Sequence, residues 1–409
     1  MPNSPGKCVL VTGGTGFIGG RLIEHLISKQ HTHVRVLVQN FSNAQRIARF
    51  PVELIRGDIT DPQFVRNAVH RCDVVYHCAY GKTFDPIRNR AITVDGTRCV
   101  LDAALREGVR QVVHLSTVMV YGLSTPDGNL DETAPRRRCG LPYGDSKMEA
   151  ERIAFEYAQR HGLSVTILQP TAVYGPESPG YVIDVLRRLK TGLQILVNNG
   201  TGYCNLVYVD DVVRAMLLAA ENERAGGEAF IISGERPVTW RDFYGRYEQM
   251  IGRSATINMS VAEAVAYCRS RQSRPRLTKE IWRLLRDHQV RERLLETAEV
   301  TTVKHTIRKL LPQVAWRGVK TLLRERSGTP GKDIKSTNGS IHGLKPELIA
   351  FLATKTWNRI DKAKRILGYE PGTGFEAGMN LTEAWARWAN LLPPIRKGQP
   401  IEVKVSLRG

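Results

Sequence analysis

Residues 7–20 read KCVLVTGGTGFIGG. Positions 7–12 have the apolar run of a buried strand. Glycines then break the run, and a helical pattern continues to about Lys29. A strand that turns straight into a helix, with Gly13, Gly16 and Gly19 at the turn, has the form of a pyrophosphate cradle. Gly13 permits the tight turn, Gly16 lets backbone approach the phosphates, and Gly19 lets the helix pack on the strand. The helix N-terminus adds unpaired N–H groups and a positive dipole end. A bare glycine pattern also occurs in ordinary turns, so the strand–turn–helix context is what selects a dinucleotide.

Strand-like runs follow at 33–38, 52–57, 72–79, 110–117 and 163–170, separated by helical stretches at 92–108 and from Tyr143 to about Arg160. Continuous Val/Ile/Leu strands alternating with helices predict a parallel sheet covered on both faces. The expected class is α/β, a Rossmann-type doubly wound parallel sheet with a smaller C-terminal substrate region and a basic helical insertion. Residues 1–175 form the dinucleotide-binding core, with the sheet completed by about 205–235, where 205–220 reads as strand then helix. Residues 176–261 and 346–395 form the substrate region, with helices at 361–371 and 375–392. Residues 262–345 are the insertion, including a polar mobile loop, and 396–409 a tail.

The stretch LPYGDSK (141–147) places Tyr143 and Lys147 four apart on one helix face. With TGGTGFIG, GDITDP, VVYHCA, LSTVMVYG, LQPTAVYGP and NLVYVDD in this order, the chain resembles the extended short-chain dehydrogenase/reductase superfamily, in its NAD-dependent nucleotide-sugar epimerase/dehydratase branch. The resemblance covers roughly 7–255 and resumes weakly at 356–390. It implies that Tyr143 exchanges a proton with a substrate hydroxyl or carbonyl. Lys147 would bind the nicotinamide ribose and lower the tyrosine pKa, and Thr117 would hydrogen-bond the same substrate oxygen. A downward shift of ~3 units would represent about 4 kcal/mol of differential interaction. The resemblance also places Phe17, Ile18, Ala79, Pro170 and Val173 at the cofactor, and Tyr174, Asn205 and Arg359 with Thr117 at the substrate.

At the adenosine end, Gln39 follows the second strand where a carboxylate would exclude a 2′-phosphate, with Arg35 and Arg46 nearby. The cofactor expectation is NAD(P), tilted slightly to NADP. Asp58 and Ile59 follow the third strand, where a carboxylate can accept from the adenine amino group. Family dehydratases carry carboxylates directly after the Ser/Thr; here Val118 and Met119 stand there, which argues against dehydration. Simple oxidoreduction or epimerisation remains. Cys204 stands where diphosphate-binding members carry arginine, which leaves Arg187, Arg188, Lys190 and Arg359 as phosphate candidates. The leading expectation is a sugar, nucleotide-sugar, epimerase or oxidoreductase serving polysaccharide or glycoconjugate synthesis. Beside it stands a reductase or dehydrogenase of a lipid, sterol-like or terpenoid ketone or alcohol at a membrane surface. A non-catalytic RNA-binding protein on the same fold is the third reading.

The formal net charge is +19, and 269–335 holds 18 Lys/Arg against 7 Asp/Glu, or +11. That segment reads as a solvated basic lid, a face lying on anionic membrane, or a nucleic-acid contact. Nucleic acid is the weakest of these, because Trp282 and Trp316 are too sparse for a stacking platform. Seven scattered cysteines without metal-ligand spacing predict reduced thiols, no metal and a cytoplasmic chain, with peripheral membrane contact through 269–335 as an extension. The family resemblance implies a homodimer built on helices 88–107 and 143–160.

Overall fold

The computed structural model describes residues 7–28, 32–123, 125–272 and 341–393. The elements are, in order, β1 (Lys7–Thr12), α1 (Phe17–Ser28), β2 (Thr32–Val38), β3 (Glu53–Arg56), α2 (Pro62–Val69), β4 (Val74–His77), α3 (Pro86–Arg106) and β5 (Gln111–Leu115). Next come β6 (Gly128–Leu130), α4 (Pro142–His161), β7 (Val165–Pro170), β8 (Ala172–Tyr174), α5 (Asp184–Thr191), β9 (Gln194–Val197), β10 (Tyr203–Cys204), β11 (Leu206–Tyr208) and α6 (Val209–Glu221). The last are β12 (Ala229–Ile232), β13 (Val238–Thr239), α7 (Trp240–Ile251), β14 (Thr256–Met259), α8 (Val261–Gln272), α9 (Glu347–Ala353), β15 (Thr356–Asn358), α10 (Asp361–Leu367) and α11 (Phe375–Trp388).

Seven strands form one parallel sheet in the order β12-β7-β5-β4-β1-β2-β3. The chain runs from β1 outward to β3, then crosses back to β4, so a crevice opens between the C-terminal ends of β1 and β4. Ligands of open α/β sheets bind at such a switch point. Both faces are covered, as the apolar strands require. Leu22, Ile23 and Leu26 of α1 pack with Val212, Val213 and Met216 of α6 on one side. Val65 of α2, Val100 and Leu101 of α3, and Ile153 and Tyr157 of α4 fill the other. Family resemblance and strand pattern thus give the Rossmann-type α/β fold that the structure has.

Helix starts follow local chemistry. Asp85 accepts from the Ile87 amide at 2.9 Å, with Pro86 as the first helical residue. This cap starts α3 at Pro86, six residues before the 92 expected from periodicity alone. The α4 helix likewise begins with Pro142 and ends at Gly162, which has φ 66°. Residues 205–220 form strand then helix; β11 pairs with β8 in a separate two-stranded sheet, and β12, within 205–235, completes the main sheet.

By contacts the chain divides into two compact units, Met1–Val265 with Leu344–Gly409, and Ala266–Gly343. In the second, the Tyr267 hydroxyl donates to the Ile341 carbonyl at 2.9 Å. The basic helices and polar loop expected across 273–340, with the membrane-contact reading, lie outside the described residues, as does the tail. Among the described residues no helix is long and apolar enough to cross a membrane.

Candidate active site

The glycine turn closes as its sequence requires. The Gly16 amide donates to the Gly13 carbonyl at 3.0 Å, and Gly13 has φ 69°. A Cβ on Gly13 would lie 2.7 Å from the Ala79 nitrogen, and one on Gly19 would collide with the Gly13 carbonyl. Any side chain there would fill the cradle or push α1 off the strand. These residues therefore fit a dinucleotide pyrophosphate at the N-terminus of α1.

The cradle opens into a cleft of about 990 Å³. Of the cofactor residues named from sequence, Gly13, Gly16, Phe17, Ile18, Gly19, Ala79, Tyr143, Lys147, Pro170 and Val173 line it. Gln39, Asp58 and Ile59 do not; they follow β2 and β3 beyond its edge. Asp58 is already engaged, accepting from the Thr60 amide at 2.9 Å and hydroxyl at 2.8 Å and pairing with Arg88. Burial alone would raise its pKa, but these donors hold it below the ordinary carboxylate value. Arg46 reaches the cleft wall instead, paired with Glu24 at 3.3 Å and with Glu177.

In the same cleft, Tyr143 stands in the first turn of α4, with Thr117 supplied by the segment after β5. The Thr117 hydroxyl stands close enough to favour the ionised phenol. Tyr80, three residues past the end of β4, meets the Tyr143 ring edge-on, with centroids 5.3 Å apart. The phenol is 38% exposed, and that exposure faces the cleft rather than open solvent. Desolvation, with Tyr80 adding to it, therefore pushes its pKa above the ordinary tyrosine value, and the nearby Thr117 hydroxyl offsets this only in part. Lys147 contributes no resolved part to this balance. The Lys147 ammonium is buried and donates to the Leu115 carbonyl at 2.7 Å. Burial also brings its own pKa down to about 8, against the opposing influence of Cys78 and Glu151.

Lys147 lies over a buried polar cluster. Glu151, one turn along α4, is fully buried and accepts from the Ser116 hydroxyl at 2.7 Å and the Gln169 amide at 2.9 and 3.0 Å. Arg136 completes the set, and Tyr121 donates to Gln169 at 2.8 Å. Beneath, His77 is held by Thr12 at 2.7 Å and Thr97 at 2.9 Å, while neither ring nitrogen of His114 has a hydrogen-bond partner. Burial, with Lys147 adding repulsion, lowers the pKa of both histidines and keeps them neutral.

The depressed lysine pKa has a consequence for stability. An unfolded lysine holds its proton up to about 10.5, whereas Lys147 in the fold releases it near 8. Below pH 8 folding buries a charge at a cost of about 3 kcal/mol. Between 8 and 10.5 the unfolded state binds more protons, so stability from this group rises with pH. Lys147→Met should therefore unfold at higher denaturant than the parent at pH 7, with the gap closing toward pH 10.5. A variant less stable than the parent at pH 7 would contradict this.

The substrate candidates divide. Thr117 lines the cleft, as do Val118 and Met119. Asn205 lines it too, but its amide is occupied, donating to the Thr356 carbonyl at 2.9 Å and accepting from the Asn358 amide at 3.0 Å. Tyr174 points away, packed edge-on to Tyr208 with its hydroxyl 3.4 Å from the Phe375 carbonyl. Arg359 is also outside, paired with Asp361 at 2.9 Å over the Trp357 ring. The resemblance places both at the substrate, whereas here they lie outside the cleft lining. Missed from sequence were Tyr80, Tyr181, Trp240, Leu348 and Phe351, all in the lining. Tyr80 had a signal, because it follows a strand of the sheet at its C-terminal end. Glu151 had one too, four residues beyond Lys147 on the same helix face.

Comparison with known proteins follows the same lines. The sequence profile of the NAD dependent epimerase/dehydratase family matches residues 9–233. A dTDP-glucose 4,6-dehydratase of Streptomyces antibioticus is 32% identical over 259 residues, 58% of this chain and 75% of that protein. A 2-alkyl-3-oxoalkanoate reductase of Stenotrophomonas maltophilia is 30% identical over 271 residues, 63% of this chain and 80% of that protein. The fold is shared with UDP-glucuronic acid 4-epimerase from Bacillus cereus, solved with NAD: TM-score 0.62, 18% identity, covering 93% of this chain and 96% of that one. With the glycine cradle, the parallel sheet and the matched segment in agreement, the chain belongs to the NAD-dependent epimerase/dehydratase family of extended short-chain dehydrogenases/reductases.

Proposed function

We propose that this chain is an NAD(P)-dependent oxidoreductase that interconverts a ketone and a secondary alcohol on a largely apolar molecule. The observation that carries the reading is the cleft lining, which is mostly apolar and includes Tyr80, Met119, Leu123, Tyr181, Trp240 and Phe351. Three of the four side chains proposed to grip a diphosphate are engaged elsewhere: Arg187 with Asp184 at 2.7 Å, Lys190 with the Leu391 carbonyl, and Arg359 with Asp361. Val118 and Met119, both on the cleft, have no proton to give or take, which supports a reaction without dehydration.

When bound, the dinucleotide supplies the hydride or receives it at its nicotinamide ring. The chain's own part is proton transfer and orientation. With its pKa raised, Tyr143 is a protonated phenol at neutral pH, suited to give its proton to the oxygen of a carbonyl being reduced. Thr117 would hold that same oxygen, and Lys147 would orient the ribose. Gln39 is exposed and uncharged after β2, which supports acceptance of NADP as well as NAD. Pairing of two chains through α3 and α4 belongs to the same proposal.

A second reading, sugar-nucleotide epimerisation, is favoured by the names of the dehydratase relative and of the epimerase structure. One experiment separates the two. The full chain is incubated with NADPH or NADH and a set of 2-alkanones, followed at 340 nm, and in parallel with UDP-sugars followed by NMR. Consumption of reduced dinucleotide with a ketone is expected. UDP-sugar epimerisation without any ketone reduction would replace the proposal by the second reading.

A further inference from the structure

Two thiols meet at the end of the sheet opposite the cleft. The Cys8 and Cys72 sulfurs are 3.6 Å apart, although the residues are 64 positions apart in sequence. Cys8 lies at the start of β1, and Cys72 stands two residues before β4. These strands are neighbours in the sheet, paired from Val9 and Val74 onward. The backbone around both sulfurs is held in place. The Asp73 amide donates to the Cys8 carbonyl at 2.8 Å, and the Cys72 amide to the Val69 carbonyl at 2.9 Å. The Cys8 amide donates to the Asp73 carboxylate at 2.7 Å. Neither cysteine lines the cleft, and the proton-transfer chemistry uses neither.

A positive charge stands against the pair. Arg35 of β2 donates from Nη1 to the Cys72 sulfur at 3.6 Å. The same guanidinium is fixed by the Ala68 carbonyl at 3.0 Å, the His70 carbonyl at 2.8 Å and Glu53 at 2.9 Å. Burial and the neighbouring Cys8 sulfur push the Cys72 thiol up, and Arg35 opposes them. A cation beside a sulfur favours the thiolate, the form that attacks a disulfide. Cys8 is half-buried and Cys72 buried, so an oxidant arriving from solvent meets Cys8 first. The spacing also suits a bond. Strands about 4.8 Å apart with a rise of about 3.3 Å per residue put diagonal partners about 5.8 Å apart, a usual Cα separation for a disulfide.

We propose that Cys8 and Cys72 are a redox modification site, where a reversible disulfide clamps β1 to the entry of β4. The oxidant is a small disulfide of the glutathione type. The Cys8 thiolate attacks one of its sulfurs, forming a mixed disulfide and expelling one thiolate. The Cys72 thiolate then attacks the Cys8 sulfur, forming the Cys8–Cys72 bond and expelling the second. The two cysteine thiols lose two electrons and two protons, and the small disulfide is reduced to two thiols. The new bond joins the two strands whose far ends flank the glycine cradle. It restrains the unfolded chain over a long loop and leaves the cleft unchanged.

Treatment of the full chain with oxidised glutathione tests this, and nothing in the test depends on the substrate. After free thiols are blocked, mass spectrometry should find the peptide holding Cys8 joined to the one holding Cys72, and dithiothreitol should undo the bond. Cys72→Ser should instead keep a glutathione adduct on Cys8, and Cys8→Ser should carry neither bond nor adduct at Cys72. Oxidation should raise the urea midpoint of the parent and of neither variant. Dinucleotide affinity of the oxidised parent should stay within about twofold of the reduced protein, because the bond is remote from the cleft. If Cys72→Ser fails to fold, the parent and Cys8→Ser still decide. Absence of the Cys8–Cys72 bond, whether both thiols stay free or the parent stops at the Cys8 adduct, would overturn the assignment. So would a bond that leaves the urea midpoint where it was.

Discussion

Tyr143→Phe is expected to lower kcat for ketone reduction by about 10³-fold, within the range of a positioned acid–base group. The substitution removes one hydroxyl and keeps the ring that meets Tyr80 edge-on, so the wall of the cleft is retained. Dinucleotide affinity should change by less than about twofold, because the glycine cradle and Lys147 are untouched. Titration of NADPH fluorescence and the 340 nm rate measure the two separately. The parent's pH profile carries further information. Since burial raises the Tyr143 pKa, reduction should persist through neutral pH and decline only on the alkaline side, whereas the reverse oxidation, which needs phenolate, should gain with pH. An unimpaired rate in Tyr143→Phe would remove this residue from the chemistry.

Glu151→Ala should be the most damaging substitution for the fold. The carboxylate is fully buried and receives Ser116, Gln169 and Arg136 together. Breaking such a cluster from one side leaves donors unpaired and a guanidinium without its counter-charge, at a cost of about 3–5 kcal/mol. Ser116 directly precedes Thr117, so loosening its anchor also loosens the oxygen that faces Tyr143. Glu151→Gln keeps the acceptor oxygen and should recover much of the stability while leaving Arg136 uncompensated. Urea unfolding of the three proteins gives the order parent, Gln, Ala. Equal midpoints for parent and Glu151→Ala would mean the cluster contributes nothing to folding. The same loss should appear in kcat before it appears in dinucleotide binding, because the cluster lies under the reacting end.

The pattern of 7–20 determined the strand, the turn and the helix, because backbone sterics leave Gly13 and Gly19 no substitutes. Apolar runs alternating with helical periods determined the parallel sheet, because each strand must be buried on both faces. Tyr143 and Lys147 were legible for a similar reason: i,i+4 spacing fixes a shared helix face wherever the helix lies. These are local constraints, set within a few residues along the chain.

What surrounds the reacting oxygen was not local. Trp240 and Phe351 meet, with centroids 5.8 Å apart, although more than a hundred residues separate them. No period or motif encodes that meeting. Tyr174 and Arg359 show the converse, since nearby sequence suggested the cleft and packing against Tyr208 and Trp357 turned them aside. The electrostatic sign at the site was equally out of reach. Spacing brings an ammonium close to a phenol, but only the depth of burial decides whether attraction or desolvation governs their pKa values. Sequence by itself determined the dinucleotide cradle and the helix face shared by Tyr143 and Lys147, because short-range sterics dictate both. Tertiary structure alone decided the apolar cleft and the charge states within it, because these depend on which distant surfaces exclude water together.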